Sequence, residues 1–364
     1  MSAEPIVALV GRRDEPTDGV ADYCVWLGGA LGDYGYRLET VRVDWPERSW
    51  RAALADLREM SGAWRGRWVL LQYTTLAWSR RGFPWQTPGI LAVLRKNGVR
   101  CGVVFHDFAP LPGRGMISRV REYCQLRVLE RLYEQADRAI FTVPVENIPW
   151  LPPQREKAVF IPVGSNFPIV DRKIKNNGVR PSTGSMVAVF GISWGVKGVE
   201  EIGDIACAMR RVQSQGVHLR LVTIGRGCAE AEGALRQELN GSGIEFSMLG
   251  LMPAEELAQA LAGADVLLCV RGHVSSRRGS AIAGIVCGVP IVGYRGEETG
   301  FPITEAGVML VNMGDREGLV QALAQVLTDE KLSFKLQQRS LAAAQQFFCW
   351  KSIAAQYVRA LSGR

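Results

Sequence analysis

The sequence predicts an α/β protein made of two doubly wound, Rossmann-like domains. Apolar runs of strand length alternate with amphipathic helical stretches from end to end. The stretch from Ala264 to Tyr294 reads strand, polar loop, helix, strand, a βαβ unit that requires parallel strands. A segment rich in Lys, Arg, Pro, Gly and Asn, from Asn166 to Ser185, interrupts the alternation and has linker chemistry. At 364 residues the chain is long for a single core, so two domains are expected.

In order, Ile6 to Val10 reads as the first strand. A helix to Leu31 follows, with Asp18 as its N-cap and Val20, Tyr23, Leu27 and Leu31 on one face. Arg37 to Val43 is a strand, Trp50 to Met60 a helix and Val69 to Tyr73 a strand. Pro88 to Asn97 is a helix that Thr87 would cap, with Pro88 suited to the first helical position. Strand Cys101 to Phe105, a long helix from Ile117 to Asp137, strand Ala139 to Val143 and strand Val159 to Pro162 complete the first half. The second half runs strand Met186 to Phe190, helix Val199 to Gln213, strand His218 to Ile224, helix Cys228 to Asn240, strand Phe246 to Leu249 and helix Ala254 to Leu261. The βαβ unit then places strands at Val266 to Val270 and Ile291 to Tyr294. Strand Val308 to Val311, helix Arg316 to Thr328 and an almost wholly helical tail from Glu330 to Leu361 close the chain.

Hydrophobic residues at 47% and charged residues at 22% describe a globular chain rather than a disordered one. The net charge of +7 is spread without a dense basic block, which argues against nucleic acid and suits an anionic small ligand or membrane surface. The eight cysteines form no C-x-x-C pair and read as small buried hydrophobes of a reducing compartment. With no signal-like N-terminus and no run of about 20 apolar residues, a cytoplasmic location is expected, peripheral at the inner face of a membrane where the basic surface meets it.

Ligands of open α/β sheets bind at the carboxyl ends of strands, so two such domains facing each other make a cleft. The loop after Val270 meets a helix N-terminus there. Ser275, Ser276, Arg277, Arg278, Gly279 and Ser280 form a seat for a phosphate, with His273 in the same loop. His106 ends an apolar strand and should project into the cleft; Asp107 follows as a capping or orienting group. Six of ten tryptophans lie between Trp45 and Trp85. The loop after the third strand carries Trp78, Arg80, Arg81 and Trp85, whose aromatic faces suit sugar C–H surfaces and whose guanidinium groups suit an acceptor phosphate. On the helix from Ile117, the apolar residues Ile117, Val120, Leu126, Leu129 and Leu132 are expected to face the core. Arg114, Arg119, Arg121, Arg127 and Arg131 could rest on anionic lipid.

The order of motifs resembles the GT-B glycosyltransferases, most closely the retaining family-4 class, over nearly the whole chain. DGVADYCVWLGGAL looks like the glycine-bearing start of that class, and VVFHDFAP like its strand-His-Asp turn. FGISWGVKGVEEI, GIEFSMLGLMPAEELAQALAGADVLLCV, CGVPIVGY and the terminal FFCWKSIAAQYV are similar to its later segments. The resemblance implies an acceptor-side domain over residues 1–167 and a linker over 168–185. It further implies a nucleotide-sugar-binding domain over 186–345 and a C-terminal helix, 346–364, packed back on the first domain.

It also implies transfer of a sugar, with retention, from a UDP- or GDP-sugar to a glycan or lipid-linked saccharide in polysaccharide or cell-envelope biosynthesis. No metal and no further cofactor are required. His106 would lie by the transferred sugar, while Gly19 and Lys197 would serve the diphosphate. Two features depart from the class. Its phosphate-binding Arg aligns with Ile192, and its two acidic residues align with Ser275 and Ala283. Glu297 or Glu298 could replace the missing ribose ligand. Leu251 and Met252 stand where relatives bind the base by backbone. The departures keep open a non-catalytic GT-B protein that binds nucleotide-sugar or glycan. A dinucleotide-dependent dehydrogenase or epimerase is disfavoured, because no G-x-G-x-x-G follows a strand.

Overall fold

The computed structural model describes residues 4–14, 18–165 and 184–363. Twelve strands and eleven α-helices are assigned among them. The first half holds β1 (Glu4–Val10), α1 (Gly19–Gly32), β2 (Tyr36–Arg42), α2 (Trp50–Ser61), β3 (Trp68–Tyr73), α3 (Thr87–Lys96), β4 (Arg100–Phe105), α4 (Met116–Gln135), β5 (Arg138–Phe141) and β6 (Ala158–Phe160). The second holds β7 (Ser185–Phe190), α5 (Gly195–Ser214), β8 (Leu219–Ile224), α6 (Cys228–Leu239), β9 (Glu245–Gly250), α7 (Ala254–Gly263), β10 (Val266–His273), α8 (Gly279–Val286), β11 (Ile291–Arg295) and β12 (Val308–Asn312). Helices α9 (Arg316–Thr328), α10 (Glu330–Ala343) and α11 (Trp350–Ser362) follow. The chain falls into two compact units, Met1–Val163 with Trp350–Arg364, and Gly164–Cys349. Apart from Gly184 and Ser185, which opens β7, the expected linker over 168–185 lies outside the described residues.

The first unit has a six-stranded parallel sheet in the order β2-β1-β3-β4-β5-β6, so the strand order reverses between β1 and β3. β3 (WVLLQY) is buried along its whole length, as a strand covered by helices on both faces must be. Asp18 caps α1, its Oδ1 accepting the Ala21 N–H at 3.1 Å. Thr87 does not cap α3: it is the first helical residue and buried, Gln86 precedes it, and Pro88 sits in the first turn.

Two of the α4 residues expected in the core are exposed. Cys124, Gln125, Val128, Leu129, Leu132 and Tyr133 pack inward, whereas Ile117 and Val120 are exposed. At about 100° per residue Val120 lies opposite Leu129, whereas Ile117 shares the stripe of Cys124 and Val128 but comes before Cys124, the first buried residue of the helix.

The tail helix breaks. α10 passes into a π-helical turn at Ala344–Phe348 and stops at Cys349 before α11 begins. α11 joins the first unit's core through Ile353, Ala354, Tyr357 and Leu361, packed with Tyr23, Leu27, Leu31 and Trp68. Three buried or half-buried polar contacts fix it. Tyr357 and Tyr23 share a hydroxyl hydrogen bond at 2.8 Å, Trp68 Nε1 donates to Leu361 O at 3.1 Å, and Arg138 Nε donates to Ala360 O at 2.8 Å.

The second unit has a parallel sheet in the order β12-β11-β10-β7-β8-β9, with its reversal between β7 and β10. Two boundaries differ from the sequence expectation by more than two residues. α5 starts at Gly195 rather than Val199, and β10 runs on to His273 rather than stopping at Val270. The eight cysteines are free thiols, and Cys24, Cys101, Cys124, Cys228 and Cys287 are buried.

Replacing Tyr357 by Phe strands the buried Tyr23 hydroxyl without its partner. The variant should lose about 1–2 kcal/mol, read as a lower urea midpoint with an unchanged slope.

Candidate functional site

In the second unit the chemistry gathers where the strand order reverses. Crossovers leave β7 and β10 toward opposite faces of the sheet, and a crevice opens at the carboxyl ends of the two strands. β7 ends at Phe190, and Gly191 follows it. β10 ends in a bulge, because Cys269 pairs with Gly293 and the next pairing is His273 with Tyr294. The bulge includes Gly272, at φ +64°, and sends Arg271 toward Gly191. Gly191 has φ +79°, a left-handed conformation that favours glycine, and a Cβ there would come within 3.1 Å of Arg271 Nη1. Phe190, Gly191, Cys269, Arg271, His273 and Arg278 line a cavity of about 10 Å³, room for roughly one water.

Two helices begin at this edge, and neither N-terminus has a side-chain cap: α5 after Trp194 and α8 after Arg278. Each presents free N–H groups and roughly half a positive charge. Lys197 is exposed in the first turn of α5. Arg278 is half-buried, and its Nε donates to the His273 carbonyl at 3.2 Å. Burial first, then the like charges of Arg271 and Arg277, pull its guanidinium below the usual range.

The loop between β10 and α8 departs from the expected open seat. Ser275 and Ser276 are buried, and the Ser275 hydroxyl has no hydrogen-bond partner among the described residues. Arg277 grips Glu298 through two contacts, Nε to Oε2 at 2.7 Å and Nη2 to Oε1 at 2.5 Å, with His273 Nε2 3.4 Å from Oε2. Burial alone would raise the Glu298 carboxyl. The Arg277 fork and His273 outweigh it and hold the carboxyl well below its ordinary range. Gly279 and Ser280 open α8.

In the first unit His106 follows β4. Its Nε2 lies 2.8 Å from Gln72 Oε1, and the Tyr23 ring meets the imidazole edge-on at 5.0 Å. Gln72 Nε2 reaches the Leu70 carbonyl at 3.5 Å, which turns Oε1 toward the histidine. The imidazole therefore donates from Nε2 and keeps Nδ1 as an acceptor. Burial lowers its pKa to about 4, so the ring is neutral at pH 7. Asp107 shapes the backbone, its Oδ2 accepting the Thr75 N–H at 2.8 Å.

Trp78 is not a surface platform. It is fully buried, its Nε1 donating to the Gln72 carbonyl at 2.8 Å, because its indole fills the space beside Trp50. Trp85 is half-exposed, while Arg80 and Arg81 are exposed. Arg80 lines a cavity of about 490 Å³ with Arg12, Arg13, Arg42, Asp44 and Glu47, at the ends of β1 and β2. Gly19 is open, since a Cβ there would meet nothing within 4 Å.

No protein-family model matches the sequence, and no curated protein matches it. Solved structures do match. Sucrose-phosphate synthase from Thermosynechococcus elongatus aligns over 99% of this chain and 98% of its own, at 20% identity and a TM-score of 0.65. Anabaena HepE, solved in complex with UDP and glucose, aligns over 99% and 100%, at 14% identity and 0.63. A putative UDP-N-acetylglucosamine 2-epimerase from Listeria monocytogenes aligns over 99% and 96%, at 14% and 0.60. The fold is GT-B.

Within the GT-B frame, the residues that sequence reading missed are those whose role is to hold others. Gln72 is a polar side chain at the end of the apolar run WVLLQY, and that mismatch was the available signal. Tyr23 was seen only as a core residue of α1. Arg271 was read as the start of a loop, whereas it belongs to the bulged end of β10.

His106 gives a signed pH test. Its folded-state pKa is depressed to about 4 from 6.5, so the stability tied to its neutral form is intact above pH 6.5 and is lost as pH falls toward 4. Relative to His106→Gln, the wild-type chain should lose up to about 2 kcal/mol between pH 7.5 and pH 5. Urea titrations at the two pH values measure the difference. Gln72→Glu should move the imidazole pKa upward, read by NMR of the ring Cε1–H.

Proposed function

We propose that this chain is a glycosyltransferase that moves a sugar from a nucleotide diphosphate donor. The observation that carries this reading is the switch-point crevice of the second unit. Two helix N-termini without side-chain caps, Lys197 in the first turn of α5, and three guanidinium groups, against Glu298 and the buried Glu201 that accepts the Ser193 N–H, leave that edge a surplus of positive charge. Such a surplus suits a diphosphate and would stabilise the charge that develops on it as the sugar departs. With cations and helix termini in that role, the reaction needs no metal and no further cofactor.

UDP or GDP is the proposed nucleotide, in keeping with the UDP held by HepE. Arg271 and Arg278 join Lys197, Gly279 and Ser280 as the proposed donor residues. His106, with Nδ1 free to accept a hydroxyl, would contact the sugar. Retention rests on the resemblance to the family-4 motifs. Arg80, Arg81 and Trp85 are proposed for the acceptor, a glycan or lipid-linked saccharide. No described helix is long and apolar enough to cross a membrane, and work at the inner membrane face is part of the proposal.

A second reading, a GT-B protein that binds nucleotide-sugar without turnover, is favoured by one observation. The positions aligned with the class's acidic pair are Ser275 and Ala283, and both are fully buried. An epimerase is a third outcome, since the fold also matches one.

Calorimetry with UDP and GDP, followed by a panel of their sugars with and without acceptors, separates these readings. Binding of one nucleotide, weakened at least about ten-fold by Arg278→Ala, is expected, along with release of the diphosphate. Binding without turnover selects the second reading, and an isomerised sugar the third. Binding of neither nucleotide removes the proposal.

A further inference from the structure

Trp194 stands in water on a loop whose other residues are tied down. Between β7 and α5 the chain reads Gly191-Ile192-Ser193-Trp194-Gly195. The Gly191 N–H donates to the Ile224 carbonyl at 2.8 Å, and the Ile192 N–H to the Arg226 carbonyl at 3.0 Å. The Ile192 side chain is buried, and the Ser193 N–H donates to Oε2 of the buried Glu201 at 2.7 Å. Trp194 follows with 71% of its surface exposed. A large apolar ring held out at one fixed place is a contact surface.

The indole borders the switch-point crevice. Lys197 lies three residues on, in the first turn of α5, and the Arg271 side chain packs over Gly191. On its other side, a Cβ on Gly227 would lie 3.3 Å from Trp194 Nε1, so an edge of the ring rests against the turn after β8. The Gly225 N–H donates to the Gly250 carbonyl at 2.6 Å, which brings the end of β9 alongside. Leu251 follows there, 72% exposed. In the order β10-β7-β8-β9, charge collects at the ends of β10 and β7, and exposed apolar surface continues past β8 to β9. Neighbouring strands lie about 4.8 Å apart, so this apolar ledge reaches roughly 10 Å from β7. Toward β11 the crevice is bounded instead by the fork of Arg277 on Glu298. A ligand with its phosphates in the crevice meets an ion pair in one direction and an open indole in the other.

We propose that Trp194 is the platform on which the nucleobase of the donor stacks. The inference rests on the sugar-transfer reading and names the residue that takes the donor's base. The base is the planar, weakly polar part of a nucleoside diphosphate, and stacking accepts any base because each has a π-face. Trp194 therefore supplies affinity for the nucleoside without choosing between uracil and guanine.

Calorimetry on Trp194→Ala and Trp194→Phe with UDP, GDP, a UDP-sugar and pyrophosphate tests it. Trp194→Ala should weaken UDP and GDP about ten-fold or more. The UDP-sugar should lose the same factor as UDP, and pyrophosphate, which has no base, should lose nothing. Trp194→Phe keeps a ring and should stay close to the wild-type affinities. UDP should quench the tryptophan emission of the wild-type chain, and the larger part of that quench should vanish in Trp194→Phe. Because the side chain is exposed, thermal unfolding should be little changed in both variants. Phe334→Ala, at an exposed site on α10, should alter no affinity. Wild-type UDP binding by Trp194→Ala, an equal loss for pyrophosphate, or an undiminished quench in Trp194→Phe overturns the platform and leaves the diphosphate site standing. A loss confined to the UDP-sugar assigns Trp194 to the transferred sugar and overturns it too. A wild-type chain that binds neither nucleotide removes the sugar-transfer reading itself, and this inference with it.

Discussion

The pairing of β7 with β10 is the constraint on which the second unit's chemistry depends. Right-handed crossovers from adjacent parallel strands that run to opposite edges of a sheet must leave on opposite faces. The packing reflects this, with α5 against α6 and α9 on one side, and α8 against α7 and α10 on the other. Between them no helix can cover the strand ends, so backbone N–H groups of two helices remain unpaired at one edge. The positive potential there is a product of topology before any side chain is counted.

Side chains then divide that edge into a neutralised part and a charged part. Arg277 and Glu298 satisfy each other in a fork that fixes the loop before α8. Arg278 has no such partner. It is half-buried, held by a neutral carbonyl, and crowded by two other guanidinium groups. An arrangement of that kind is unfavourable in isolation and is relieved by an anion. The free-energy cost of holding Arg278 there falls when negative charge approaches, whereas a neutral group of the same size leaves it unchanged. Arg277, often the more visible of an Arg-Arg pair on inspection of a sequence, is the one already occupied.

Much of this was legible beforehand. The alternation of strand and helix, the Asp18 cap and the position of His106 at the end of β4 follow from local patterns of apolar spacing and capping chemistry, which act within a few residues. What escaped was set by contacts between distant segments. The burial of Trp78 depends on α2 and on the Gln72 carbonyl. The burial of Ser275 and Ser276 depends on the bulge that extends β10, and a register shift is invisible in a single strand. On α4 the error had a different source. Leu129 and Val120 both read as core residues because the helix is apolar on two faces, and periodicity cannot say which face has a partner.

The first unit shows how the last segment of the chain bears on the surroundings of His106. Tyr357 on α11 shares a hydrogen bond with Tyr23, and the Tyr23 ring packs edge-on to His106 and to Trp350. Tyr23 is thus held on one side by the tail helix and rests on the imidazole with the other. The partner of the imidazole's Nε2 is the side-chain Oε1 of Gln72, and Trp78 Nε1 donates to the main-chain carbonyl of the same residue. Two separate supports, one from the tail and one from the β3 loop, leave the ring with a single free nitrogen. A neutral histidine with one fixed donor and one open acceptor is suited to reading the orientation of a hydroxyl, and less suited to delivering a proton. Burial lowers its pKa, and part of that cover is the Tyr23 ring, which α11 holds in place through Tyr357.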